Sequence, residues 1–414
     1  MTEQDHGRGA LLRLFGAALG AVEGRGAVRR ALSHRPPAGT QWIVAIGKAA
    51  ESMTLGALDV LGERCVGGLV IGREAPGDPR PLADHGIQWM VGSHPVPDER
   101  SLAAGSRLIG CLGDAPVDSA ILFLISGGAS SLVESPVDGI GLDDIRGVNR
   151  WLLGSGLPIG AMNRVRTALS RIKGGGLLAF LPNRQPRVLA ISDVPGDDPG
   201  VIGSGLLVPC RNLAESLPAL GLPPWLLERT ALGLAGRPAE LPPAPEIELV
   251  ARLVDAMGAA AQEARDLGLN VHLDPVFLEG EAGERGTELA RILRDGLPGV
   301  RICGGETTVR LPANPGRGGR NQHLALAAAL KIAGRADCLL LAAGTDGSDG
   351  NSEDAGALVD GGTLERGTLD GLDPRDCLAR ADAGRFLAAS GDLIHTGPTG
   401  TNVMDLVLAL RRGP

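Results

Sequence analysis

The sequence predicts an α/β protein of two domains. Its 414 residues are too many for one hydrophobic core of ordinary size, and 43% apolar with 21% charged residues supply material for two. Short apolar, β-rich runs recur along the chain, with glycine clusters after many of them and segments of helical periodicity between them, which is the strand, turn, helix rhythm of open α/β sheets. One stretch breaks that rhythm. Gly236-Arg-Pro-Ala-Glu-Leu-Pro-Pro-Ala-Pro245 reads as a linker and divides the chain into residues 1–240 and 241–414.

Composition narrows the function. A net charge of −8 without a long Lys/Arg run gives no basic field for a nucleic-acid backbone, and 2% aromatics with no Tyr removes the usual stacking platforms. Glycine is the outlier at 63 residues, clustered behind apolar runs where it permits tight turns and close approach of backbone to a ligand. The six cysteines form no CxxC pair and no Cys/His metal spacing, which fits a reducing, cytoplasmic setting. Leu11 to Val22, interrupted by Arg13, is an amphipathic helix rather than a signal peptide, and no apolar span reaches the roughly 18 residues a membrane requires.

The elements follow in order. Trp42 to Ile46 is a strand whose turn, Gly47-Lys48, precedes a helix from Ala49 to Leu61, so Lys48 lies at the carboxyl end of a parallel strand, where open α/β sheets bind ligands. Val66 to Ile71 and Ile87 to Val91 are strands. The second leads into His94-Pro-Val-Pro-Asp98, with Asp98 capping a helix from Glu99 to Leu112. The strand Ala120 to Ile125 opens into Ser126-Gly-Gly-Ala-Ser-Ser131, whose amides and hydroxyls can form an anion nest. It is neither GxGxxG nor GxxxxGK[ST]. A helix carrying Arg166, Ser170 and Lys173 on one face runs into three glycines. The strand Arg187 to Ile191 delivers Asp193, Asp197 and Asp198, carboxylates able to hold a divalent ion or orient a hydroxyl. Residues 211 to 235 read as helical.

The second half begins with a helix from Glu246 to Leu267, a strand from Asn270 to Leu278 and a helix from Thr287 to Asp295. A strand from Val300 leads into Gly304 to Gln322, a glycine and arginine loop that opens the helix Asn321 to Ala333 and converges amides, Arg317 and Arg320 on one spot suited to an anion. The strand Cys338 to Ala342 ends in Gly344-Thr-Asp346-Gly, whose spacing is not that of a calcium loop and suits a phosphate better. Thr396-Gly-Pro-Thr399-Gly-Thr-Asn402 opens a final helix. Together these loops argue for a polyanionic ligand between two α/β domains.

Taken in order, Ile-Gly-Lys48-Ala, His94-Pro-Val-Pro-Asp98, Ser126-Gly-Gly-Ala-Ser, Ile-Lys173-Gly-Gly, Ser-Asp193-Val-Pro-Gly-Asp-Asp-Pro, Gly-Gly-Glu306-Thr-Thr, Gly-Gly-Arg320-Asn-Gln, Gly-Thr-Asp346-Gly and Thr-Gly-Pro-Thr399-Gly-Thr-Asn402 resemble the class II glycerate 2-kinases of the MOFRL family. The resemblance covers nearly the whole chain. It implies a larger N-terminal Rossmann-like, doubly wound domain and a smaller C-terminal MOFRL domain with a cleft between them, and ATP-dependent phosphorylation of D-glycerate to 2-phosphoglycerate with Mg²⁺. The family's essential lysine falls on Lys48 and its essential arginine on Arg320. The chain departs from the usual pattern at Ala129, after Arg166, and at Leu206.

On this reading Lys48 and Arg320 act on the transferring phosphoryl, and Asp193 orients the acceptor hydroxyl or meets Mg²⁺. Ser126, Gly127 and Gly128 hold an anionic group, while Arg166 and Lys173 take the glycerate carboxylate. Gly344, Thr345, Asp346, Gly347, Thr396, Gly397, Thr399 and Asn402 hold the nucleotide. The expected partners are D-glycerate and ATP, with neither nucleic acid nor membrane. The metal ligands are left unknown and a homo-oligomer open. The competing readings are a hydroxypyruvate reductase, which would need a dinucleotide site, a kinase of a related small hydroxy acid, and a non-catalytic binder of small phosphorylated acids.

Overall fold

A computed structural model describes residues 3–181, 183–238 and 240–413. The chain forms two compact units. One spans Gly24–Val250, and the other combines the residues up to Glu23 with those from Ala251 onward.

The first unit is built on six strands: β1 (Gln41–Ile46), β2 (Cys65–Gly72), β3 (Ile87–Val91), β4 (Ala120–Ile125), β5 (Arg187–Ile191) and β6 (Ile247–Ala251). Their order is β3-β2-β1-β4-β5-β6, and the pairings from β3 through β5 are parallel. Central strands of such a sheet carry helices on both faces, so they are apolar throughout rather than alternating. Ile43 to Ile46 and Ile121 to Ile125 are accordingly buried along their length. The helix Glu99–Asp114 starts where expected, because the Asp98 side chain accepts from the amide of Arg100 at 2.8 Å. A second, smaller core joins the helices Leu142–Gly154, Ile159–Ala168 and Pro224–Ala235 through Ile145, Val148, Val165, Leu169 and Leu226.

Two expectations for this unit change. Residues 246–267 are not one helix: Ile247 and Leu249 alternate onto the sheet core as part of β6, and the helix begins only at Leu253. Of residues 211–235 only Pro224–Ala235 makes a helix of several turns, since Pro218 and Gly221 break the segment before it.

The second unit contains β7 (Val271–Leu273), β8 (Leu278–Glu281), β9 (Gly299–Thr308), β10 (Cys338–Gly344), β11 (Gly356–Asp360), β12 (Leu393–Ile394) and β13 (Asp405–Arg411). The sheet order is β12-β11-β10-β13-β9-β7, with β8 alongside the end of β9. The pairings from β12 through β9 are antiparallel, whereas β7 and β8 run parallel to β9. The expected final helix is therefore the strand β13, whose run Leu406 to Leu410 is buried between β10 and β9. The expected strand from Asn270 to Leu278 divides into β7 and β8 around Pro275, which cannot donate to a ladder.

The N-terminal helix Glu3–Val22 also belongs to the second unit, not to a domain ending at residue 240. Arg8 bonds Asp360 at 2.6 Å and lies 3.0 Å from Asp392, and the Thr401 hydroxyl donates to the Val22 carbonyl at 2.7 Å. No helix among the described residues is long and apolar enough to cross a membrane.

Candidate functional site

In the first unit the strand order reverses between β1 and β4, which makes the loops after these two neighbours the topological switch point where open α/β sheets bind ligands. The loops are tied to each other. The Lys48 amide donates to the Gly127 carbonyl at 2.9 Å, the Ala49 amide to the Ser126 hydroxyl at 3.0 Å, and the Ser126 amide to the Ile46 carbonyl at 3.0 Å. Only glycine fits at 47: φ is +134°, and a Cβ would fall 2.1 Å from the Ser126 Oγ. Ser126 is fully buried, so its hydroxyl holds the Lys48 turn. Gly128, at φ +83°, brings the chain close to two side chains, since a Cβ there would sit 3.2 Å from both His94 Cδ2 and Lys48 Cγ.

Beside this loop is a cavity of about 180 Å³. Its polar lining includes His94, Ser130, Glu134, Asn149, Arg166 and Lys173, and Ile145, Val148 and Leu169 supply apolar wall. The helix expected to carry Arg166, Ser170 and Lys173 on one face ends at Ala168, so only Arg166 is helical. Ser170 and Lys173 follow in a loop and both turn to Glu134. The Ser170 hydroxyl donates to Glu134 Oε1 at 2.6 Å, Lys173 Nζ pairs with Oε2, and the Ser135 amide adds a third bond at 3.0 Å. Lys173 is 3% and Glu134 2% exposed, so this ion pair is internal.

Arg166 differs from Lys173. Its Nε donates to Asn149 Oδ1 at 2.8 Å and one terminal nitrogen to Asn163 Oδ1 at 3.2 Å, both neutral amides. Burial lowers its pKa, and the nearby Glu134 charge acts in the opposite direction. The loop that carries Lys173 is gripped from behind by Arg237, whose guanidinium bonds the carbonyls of Thr167, Ser170, Lys173 and Gly174. Arg237 therefore belongs to this wall, not to a linker. Asp193 follows β5 in a partly exposed loop, whereas Asp198 caps its own turn through the Gly200 amide at 2.8 Å.

In the second unit the expected Arg320 and Glu306 meet Asp405, a residue the sequence did not single out, at one end of the sheet. Asp405, the first residue of β13, pairs with Gly344 on β10 and Gly305 on β9. Arg320 opens the helix Arg320–Ile332 and binds Asp405 through two nitrogens, at 2.5 and 3.1 Å, and Glu306 through a third. Burial disfavours its charge, but Asp405 and Glu306 outweigh that and raise its pKa. The next amides, Asn321 and Gln322, donate to Asp349 at 3.1 and 2.8 Å. Burial pushes the Asp349 carboxyl up to about 7 against those bonds. Arg317 is more exposed and pairs with Asp354 at 2.7 Å.

The loops after Gly344 and before Asp405 form one mesh. Thr345 donates to and accepts from the Met404 and Val403 backbone at 2.6 and 2.8 Å, and Thr399 donates to the Thr345 carbonyl at 2.5 Å. Gly347, at φ +86°, lies so close to Gly397 that a Cβ would meet its carbonyl at 2.1 Å. Asp346 accepts from the Ser348 amide and hydroxyl, both at 3.1 Å, Asn402 accepts from the Met404 amide at 3.3 Å, and the Thr396 hydroxyl donates to the Gly397 carbonyl at 2.8 Å.

The expected residues thus fall into two groups. Lys48, Ser126, Gly127, Gly128, Arg166, Lys173 and Asp193 lie in the first unit, and Arg320 with the loops at 344–347 and 396–402 in the second. Glu134, Asn149 and Arg237 are additions that carried no motif in the sequence. Among the described residues no three His, Cys, Asp or Glu side chains converge as a metal cage. Mg²⁺ needs no such cage, being held by one or two carboxylates together with substrate phosphates, and the single carboxylate of Asp193 fits that pattern.

Comparison with known proteins gives two family matches, a domain of unknown function (DUF4147) over residues 10–220 and the MOFRL family over residues 299–405. A D-glycerate 2-kinase of Thermotoga maritima is 36% identical over 89% of this chain and 90% of its own length. A protein of Agrobacterium vitis provisionally named a hydroxypyruvate reductase is 38% identical over 96% of this chain and 93% of its own. The crystal structure of the glycerate kinase from Thermotoga maritima superposes with a TM-score of 0.84 at 33% identity, covering 98% of this chain and 100% of that one.

Proposed function

The chain belongs to the glycerate 2-kinases of the MOFRL family, and we propose that it transfers the γ-phosphoryl group of ATP to the 2-hydroxyl of D-glycerate, giving 2-phosphoglycerate and ADP. The observation that carries this reading is the small cavity beside Lys48, where among the described residues Arg166 has only neutral hydrogen-bonding partners. A desolvated guanidinium without a carboxylate partner suits a small acid, because its planar donors match a carboxylate.

Phosphoryl transfer passes through a loose transition state, so the protein mostly positions reactants and neutralises charge. Arg166 receives the glycerate carboxylate, with Lys173 behind it on Glu134. The backbone of Gly127 and Gly128 holds an anionic group beside Lys48, and Ser126 keeps the Lys48 turn in place. Lys48 and Arg320 each supply positive charge to the transferring phosphoryl, Arg320 being fixed in orientation by Asp405 and Glu306. Asp193 accepts a hydrogen bond from the acceptor hydroxyl. The loops at 344–347 and 396–402 take the nucleotide. When bound, Mg²⁺ would neutralise phosphate charge, with Asp193 as its protein contact.

The test is product analysis with ATP, Mg²⁺ and D-glycerate. Enolase should accept the product directly, and a requirement for phosphoglycerate mutase would move the phosphate to the third carbon. Oxidation of NADH or NADPH by hydroxypyruvate, without ADP from ATP and glycerate, would establish the reductase instead. A small panel of hydroxy acids ranks the related substrates. Heat on mixing with nucleotide or glycerate, without turnover, would leave only a binding protein.

A further inference from the structure

The charges around the cavity beside Lys48 do not balance, and the imbalance sets what fits. Glu134 is saturated: Lys173, the Ser170 hydroxyl and the Ser135 amide occupy its carboxylate, so it cancels Lys173 inside the wall. Arg166 is held by the amide oxygens of Asn149 and Asn163 and makes no ion pair among the described residues. Lys48, on the far side of Gly128, is taken up by the phosphoryl in the kinase reading, and Ile145, Val148 and Leu169 offer no further cation to the acid. Bringing a charged group out of water is costly unless it is paired, so one carboxylate is matched here and a second is not.

We propose that this cavity selects hydroxy acids carrying a single carboxylate, with Asn149 as the specificity-determining residue that orients Arg166 without neutralising it and Glu134 as the group that withholds Lys173 from the substrate. The inference rests on the kinase reading above and adds to it a rule for substrate charge. A monocarboxylate with a neighbouring hydroxyl completes Arg166. A dicarboxylate of the same skeleton places its second charge against the apolar wall and the Glu134 side.

Tartronate tests the rule, since it differs from glycerate only in having a second carboxylate where glycerate has its terminal CH₂OH. Initial rates of ADP formation at pH 8 give the KM for glycerate and the inhibition constant of tartronate. In the unaltered enzyme tartronate should bind roughly a hundredfold more weakly than glycerate, the scale of a mismatched charge at an interface. Asn149→Asp gives Arg166 an internal carboxylate and should raise the KM for glycerate at least about tenfold while leaving the KM for ATP unchanged. Glu134→Gln releases the Lys173 charge and should narrow the gap between tartronate and glycerate about tenfold. Tartronate binding within about threefold of glycerate, or an Asn149→Asp enzyme with an unchanged KM for glycerate, overturns the inference. Should Glu134→Gln fail to fold, the other two measurements still decide. The kinase reading fails separately, by absence of ADP from ATP and glycerate in the unaltered enzyme.

Discussion

At the switch point of the first sheet, glycines bring the backbone against Lys48 and His94 and leave a recess in which the amide oxygens of Asn149 and Asn163 hold Arg166. At the end of the second sheet, Gly319, Gly347 and Gly350 bring loops against one another, and the half-buried guanidinium of Arg320 is bound by two carboxylates. Both regions carry the same signature, glycine and hydroxyl residues behind a buried strand. The difference lies in where the freed backbone groups go. In the first region the side-chain charge is left unmatched beside a cavity, whereas in the second it is spent on internal bonds that fix a cation's direction. A glycine-rich strand end therefore means either an open recess or a rigid mount, and the ion pairs tell them apart.

Substitution of the two cations tests that contrast most strongly. Lys48→Ala and Arg320→Ala should each lower kcat roughly a hundredfold or more, the effect of removing one transition-state charge contact. Arg320→Ala should also lower the melting temperature by several degrees, because it strands Asp405, which is 6% exposed. Near-normal turnover in either variant would remove that residue from the reaction.

The internal pair behind the recess gives the next largest effect. Lys173→Met leaves Glu134 buried without its counter-ion and should reduce unfolding free energy by about 3–5 kcal/mol in urea titration. A loss below about 1 kcal/mol, the range of an exposed pair, would show that water reaches the site. Between the two regions, Gly128→Ala and Gly347→Ala should separate function from stability. The left-handed backbone alone costs about 1–2 kcal/mol at either position. At 128 the added methyl presses on His94 and Lys48, so turnover should fall beyond what stability explains. At 347 it strikes the Gly397 carbonyl, so stability should fall further.

The smallest effect is on pH. Asp349, with its carboxyl pushed up to about 7, binds a proton in the folded state that the unfolded chain releases near its ordinary value of about 3.9. Its contribution is thus fully present below about pH 4 and lost as pH rises through about 7. Asp349→Asn should flatten this part of the profile of melting temperature against pH. A slope unchanged in that variant would assign the dependence elsewhere.

Much of this organisation was legible in the chain. Strands β1 to β5 announced themselves as short apolar, β-rich runs closed by turn residues, and the Gly47-Lys48 turn followed from its position behind β1. β6 and β13 were not, for a shared reason. Ile247 to Ala251 adjoins a helix with only a one-residue break, and Leu406 to Leu410 is a continuous apolar run that suits a buried helix as well as a central strand. Glu134 and Asn149 were hidden because their roles arise from partners distant in sequence, Lys173 and Arg166. Arg237 was concealed by its prolines: a linker composition surrounds a side chain that grips four carbonyls.

The N-terminal helix has a consequence during synthesis. Its apolar face, Leu11, Leu14, Phe15, Ala18 and Val22, is buried in the finished protein in the unit that begins again only at Ala251. Ribosomes add about 5–20 residues per second, so that face waits on the order of tens of seconds while the whole first unit is made. Arg8 waits longer, since Asp360 and Asp392 emerge later still. A helix translated ahead of the whole first unit is thus among the last to find its place, and for that interval it is a ready target for a chaperone.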